Sequence, residues 1–97
     1  MRIDQIKTQY KNLILEIAKQ RKIDNIRIFG SVARGTQNKK SDIDFLVHLL
    51  PEANLLDLSG FHLDLEELLK CKIDVIPDNS IHWFIKDKIL SEAISLS

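Results

Sequence analysis

From residue 2 to about 21, Ile3, Ile6, Tyr10, Leu13, Ile14 and Ile17 recur at spacings of three and four. That period predicts an amphipathic helix, with Tyr10 in its apolar stripe and Lys7, Lys11, Glu16 and Lys19 mostly on the wet side. Asp24-Asn25 interrupts the pattern. Ile26-Arg27-Ile28-Phe29, ended by Gly30, is a short β-branched and aromatic run that predicts a strand. Residues 31–41 are polar, contain Gly35 and form a connection. Asp42 to Leu49 (DIDFLVHL) predicts a second strand. Helical spacing returns from Leu55 to Leu69 through Leu58, Phe61, Leu65 and Leu68, although Gly60 weakens it. Cys71 to Pro77 (CKIDVIP) predicts a third strand. Asp78 or Asn79 can cap a last helix with an inner face of Ile81, Phe84, Ile85, Ile89 and Ala93. The expected order is α-β-β-α-β-α, a small three-stranded mixed sheet covered by helices, of α/β or α+β class.

Composition narrows this picture. Ninety-seven residues make one expected domain, 1–97, with no repeat or linker. Fourteen basic and fourteen acidic side chains cancel. That balance argues against stable binding of long nucleic acid through bulk charge, while leaving room for a single nucleotide. No apolar run approaches the ~18 residues of a membrane span, and MRIDQIKTQY lacks a signal-peptide apolar stretch. Cys71 has no second cysteine to pair with. The expected setting is the cytoplasm, with a reduced thiol.

The chemistry concentrates in residues 30–47, GSVARGTQNKKSDIDFLV. Asp42 and Asp44 stand two apart on a strand, so both carboxylates project from one face while Ile43, Phe45 and Val47 take the other. Two like charges this close repel unless a cation intervenes, and magnesium is the usual ion where phosphates complete the ligand set. A bare D-x-D also suits the wet face of any amphipathic strand. Gly30-Ser31, directly after a strand, can open a helical turn whose free N–H groups and hydroxyl bind phosphate. Asp74 interrupts the third strand between Ile73 and Val75, on whichever face is not packed. If that strand lies beside the second, the three carboxylates suit two-metal phosphoryl transfer. Arg34 could neutralise phosphate charge or be a solvated loop charge. Lys39 and Lys40 are expected to be solvated, and Ser41 to shape the backbone. His48, His62 and His82 show no paired ligand spacing and are expected to be surface or partly buried side chains.

Gly30-Ser31, ten intervening residues, then Asp42-x-Asp44 resembles the signature of the DNA polymerase beta-type nucleotidyltransferase superfamily. The longer string, GSVARG, then SDIDFLV, a later IDV and a final amphipathic helix, is similar to its smallest members, the minimal nucleotidyltransferases. The resemblance covers nearly the whole chain. It implies a nucleotidyltransferase fold in which Asp42, Asp44 and Asp74 bind magnesium, two ions in all, and act in catalysis. Gly30 and Ser31, with Arg34 nearby, would hold the phosphates of ATP. The implied reaction is attack by an acceptor hydroxyl on the α-phosphorus, with release of pyrophosphate.

Minimal nucleotidyltransferases of this kind resemble the antitoxin half of toxin–antitoxin modules, which implies AMP transfer to a tyrosine of a HEPN-domain ribonuclease toxin. A chain of this size has little left over for a substrate domain, so the acceptor surface is expected on another protein. Leu55, Leu56, Leu63, Leu69, Trp83 and Leu96 fall partly outside the inner stripes, and clustered exposed apolar groups mark interfaces. For Leu69 the core is the stronger expectation. Two alternatives stay open: a binding module that masks its partner without catalysis, and a small-molecule transferase of the aminoglycoside type.

Overall fold

A computed structural model of the chain describes residues 2–35, 42–81 and 83–96, and the side chains of Ser31, Arg34, Trp83 and Phe84 fall outside that description. Lys39, Lys40, Ser41 and His82 therefore lie outside the described residues. The chain opens with α1 (Ile3–Gln5), a π-helical turn (Ile6–Tyr10) and α2 (Lys11–Gln20). The wide turn alters the phase of the apolar stripe. Ile6, Ile14 and Ala18 are buried and Tyr10 is partly buried against the core, whereas Leu13, expected inside, is 52 % exposed. A π turn advances by more than 3.6 residues, so a stripe drawn at regular α spacing loses its register there.

Strand β1 (Ile23–Phe29) begins earlier than the sequence suggests. Asp24 pairs with His48 but Arg27 pairs with Leu46, so β1 carries one extra residue. Asn25 absorbs it at φ +49°. Asparagine tolerates the left-handed region, so Asp24-Asn25 marks a bulge within the strand and not its boundary. A short helix, α3 (Gly30–Arg34), opens at Gly30-Ser31, in keeping with the helical turn that pair allows, and the next described strand is β2 (Ile43–Leu49). Then come α4 (Leu55–Leu69), β3 (Ile73–Pro77), a 3-10 turn (Asp78–Ser80) and α5 (Trp83–Glu92).

A fourth strand, β4 (Ile94–Ser95), corrects the three-stranded expectation. The sheet order is β3-β2-β1-β4. β2 runs antiparallel to β1 and parallel to β3, and β4 is antiparallel to β1. The last helix is shorter than expected, ending at Glu92 and excluding Ala93, and Ile85 of its expected inner face is 41 % exposed. The chain then turns back along β1, where the Leu96 N–H donates to the Ile26 carbonyl at 2.8 Å. Leu96, expected at the surface, is buried in the core. Two residues of strand carry no readable period, and only pairing with β1 makes them a strand.

The core forms between the sheet and the helices α2 and α4. Ile43, Phe45 and Val47 of β2 cluster with Ile14 and Ala18 of α2 and with Phe61, Leu65 and Leu69 of α4. α4 starts at a reciprocal cap: Asn54 Oδ1 accepts from the Asp57 N–H and Asp57 Oδ2 from the Asn54 N–H, each at 3.0 Å. Gly60, unfavourable in mid-helix, leaves room for Arg21, whose guanidinium would overlap any β-carbon there. That guanidinium crosses to Asp64, with Nε donating to Oδ2 at 3.1 Å, and ties α2 to α4. Phe61 is fully buried, and Phe61→Ala is expected to cost about 3–5 kcal/mol in urea unfolding.

Candidate active site

The pleat of β2 separates its two jobs. Ile43, Phe45 and Val47 build the core, and Asp44 takes the opposite face. The parallel register sets Asp44 directly opposite Asp74, with Ile43 opposite Ile73. Residues opposite each other share a face, so Asp44 and Asp74 lie together on the face away from the helical core. β3 is an edge strand, which leaves Asp74 exposed.

The antiparallel register on the other side pairs Phe29 with Asp44. Gly30 follows at once with φ +76°, a conformation that L side chains rarely adopt. A β-carbon at Gly30 would overlap Asp44 Oδ2 and stand 3.2 Å from Asp44 Cγ. The glycine lets the first turn of α3 come against this carboxylate. Ser31 and Arg34 are both on α3, and their side chains lie outside the description.

Asp42 sits just ahead of β2, with Oδ2 3.9 Å from Lys72 Nζ. Asp42 and Asp74 share the lining of a cavity of about 490 Å³ with Lys72, Ile73, His62 and Glu66. A larger hollow of about 560 Å³ lies between α2 and α4, lined by Ile17, Gln20 and Leu68 among others, and holds none of the motif's residues. Among the described residues no three His, Cys, Asp or Glu side chains gather into a metal cage. The expected convergence of three carboxylates is thus an alignment, with Asp42 and Asp74 at one cavity and Asp44 against Gly30. Like charges in one small volume repel, and Asp42 takes the Lys72 ammonium instead. The donor set nonetheless fits magnesium. These are hard carboxylate oxygens, and that ion usually takes one or two of them beside phosphate and water ligands.

His62 and Glu66 are cavity residues that sequence reasoning passed over. They stand one turn apart on α4, with Nε2 and Oε1 3.4 Å apart. Their i, i+4 spacing was visible, but only the fold brings α4 alongside β3. His48 is partly buried and pairs through Nδ1 with Asp78 Oδ2 at 3.2 Å, joining β2 to the turn after β3. Burial pushes the Cys71 thiol up from its ordinary value, which keeps it protonated and poorly nucleophilic near neutral pH.

Comparison with known proteins places this architecture. A solved structure described as a minimal nucleotidyltransferase superposes with a TM-score of 0.86 at 30 % identity, covering 97 % of this chain and 95 % of that one. The fold is therefore that of a minimal nucleotidyltransferase. Residues 11–96 match the Nucleotidyltransferase domain family, and the chain belongs to it. A Methanocaldococcus jannaschii protein named as a protein adenylyltransferase is 41 % identical over 88 residues, spanning 91 % of this chain and 95 % of the relative. At the level of fold alone, the chain is similar to a structure of the tri-AMPylated Shewanella oneidensis HEPN toxin in complex with MNT antitoxin. There the TM-score is 0.70 at 17 % identity, over 94 % of this chain and 71 % of that one. No helix among the described residues is long and apolar enough to cross a membrane.

Proposed function

We propose that the chain is a magnesium-dependent protein adenylyltransferase that moves AMP from ATP to a tyrosine hydroxyl of a HEPN-domain toxin and so acts as its antitoxin. The observation that carries this reading is the in-register pair Asp44–Asp74 beside the Gly30 turn. The adenylyltransferase name of the Methanocaldococcus relative supports the reaction class, and the AMP-bearing HEPN toxin in the Shewanella complex supports the acceptor.

In this reading Gly30 and Ser31, helped by Arg34, hold the β- and γ-phosphates. Asp42, Asp44 and Asp74 hold magnesium. When bound, that metal neutralises phosphate charge and holds the reacting groups in line. Asp74, at the exposed edge, takes the proton of the acceptor hydroxyl. The hydroxyl oxygen then bonds to the α-phosphorus, the bond from that phosphorus to its bridging oxygen breaks, and pyrophosphate leaves.

The test is co-purification with the product of the adjacent gene, then intact-mass measurement after addition of ATP and magnesium. Increments of AMP on the partner are expected. Tight binding and full inhibition with no mass change would make the chain a stoichiometric mask. The donor is expected to be ATP: calorimetry in magnesium should give tighter binding for ATP than for GTP, and equal or tighter GTP binding would count against adenine selection.

A further inference from the structure

We propose that Lys72 is a resident counter-cation of this site: it holds Asp42 while no metal is bound, and passes to a phosphate oxygen of the nucleotide when magnesium takes Asp42. The inference rests on the reading that the site binds magnesium and ATP, and it gives a role there to a charge of the chain's own.

The parallel register places the lysine. Ile43 pairs with Ile73 and Asp44 with Asp74, and the Ile43 N–H donates to the Lys72 carbonyl at 3.2 Å. Ile43 and Ile73 are buried in the core, so the strand period of two puts Asp42, Asp44, Lys72 and Asp74 on the opposite face. Three corners of this square are acids and the fourth is a base. Lys72 Nζ stands 3.9 Å from Asp42 Oδ2. Lys72 is also the only lysine or arginine among the described residues that line the cavity shared by Asp42 and Asp74.

This contact is made to exchange. The two side chains are 79 % and 40 % exposed, and an exposed pair at that distance is weak. A divalent ion carries twice the charge of the ammonium and displaces it from the carboxylate. The backbone of Lys72 stays fixed in the ladder while its stem is flexible, so the displaced ammonium remains within reach of the cavity. Charge then decides where it goes. Three aspartates and a triphosphate carry more negative charge than two magnesium ions cancel, so the loaded site favours a further cation beside the phosphates. Lys72 therefore opposes the metal when the metal comes alone, and supports it when it comes with nucleotide.

The experiment compares the wild type with Lys72→Gln, Lys72→Arg and Lys70→Gln, the last removing a neighbouring charge that lies outside the cavity. Lys72 is exposed, so glutamine there removes no core packing, and circular dichroism verifies the fold. Manganese(II), the probe for metal alone, is titrated by electron paramagnetic resonance without nucleotide. ATP is titrated by calorimetry in saturating magnesium. Lys72→Gln is expected to bind manganese about two- to fivefold tighter, the scale of an exposed ion pair. The same variant is expected to bind ATP about tenfold more weakly, the scale of a hydrogen bond to a charged group. Lys72→Arg should stay near the wild type in both measurements, and Lys70→Gln should leave both unchanged. Shifts of the same sign in Lys72→Gln, no shift in either measurement, or equal shifts in Lys70→Gln overturn the proposal. A wild type that binds neither manganese nor ATP overturns the reading of the site and the proposal with it. Opposite shifts in a protein that transfers no AMP uphold the role of Lys72 and defeat the proposed reaction alone.

Discussion

Asp44→Asn is expected to abolish AMP transfer, by at least about 10³-fold in kcat/KM, while the protein stays folded and still binds its partner. The loss corresponds to roughly 4 kcal/mol of transition-state stabilisation. Such a magnitude is reasonable because the carboxylate, in this reading, shares with Asp42 and Asp74 in holding the charge that neutralises the phosphates. Asparagine keeps the side-chain shape but removes a full negative charge that β2 and β3 bring beside Asp74. Circular dichroism and the melting temperature without magnesium check that the variant is folded. Magnesium separates binding from folding in the same experiment. A ligand at a hundred times its dissociation constant stabilises by about 2.7 kcal/mol. The wild type should gain that increment with magnesium and ATP, and Asp44→Asn should not. Substantial transfer by the variant, scored by intact mass, would sink the assignment of Asp44.

The second large effect is expected at Gly30, and Gly35 supplies its control. Both residues have positive φ, +76° and +74°. Alanine at either position meets the left-handed backbone cost of about 1–2 kcal/mol. In a domain of this size that lowers the melting temperature by about 4–16 °C. The two sites differ in what a methyl group would touch. At Gly30 it would overlap the Asp44 carboxylate, whereas at Gly35 nothing lies within 4 Å. Gly30→Ala should therefore displace Asp44 and cost at least about 10²-fold in transfer, the scale of losing one electrostatic contact in a transition state. Gly35→Ala should lose comparable stability and keep most of its activity. Equal activity losses in the pair, measured well below both melting temperatures, would show that backbone strain and not the Asp44 contact is responsible.

The fold also explains which parts of the site a reader of the chain could find. Gly30-Ser31 and Asp42-x-Asp44 are separated by few residues, and their types and spacing are visible without coordinates. The alternation DIDFLV already assigns Asp44 and Phe45 to opposite faces, because the strand period of two is a local property of the backbone. His62 and Glu66 were visible only as an ordinary helical pair. Nothing local says that α4 runs beside β3, so their place in the cavity with Asp42 and Asp74 had no signal in the chain.

By itself the sequence determined the order of the main helices and strands, the apolar sides of β2 and α4, and the motif that points to nucleotide chemistry. These follow from short-range spacing, which steric limits on the backbone translate directly into geometry. Tertiary structure alone decided four things. The π turn moved Leu13 to the surface, the bulge at Asn25 extended β1, and Ile94–Ser95 became a fourth strand that took Leu96 into the core. The parallel register then set Asp74 against Asp44 and not one residue away. Each depends on groups distant in the chain competing for the same hydrogen bonds and the same buried volume, and a one-residue slip would have turned Asp74 to the opposite face.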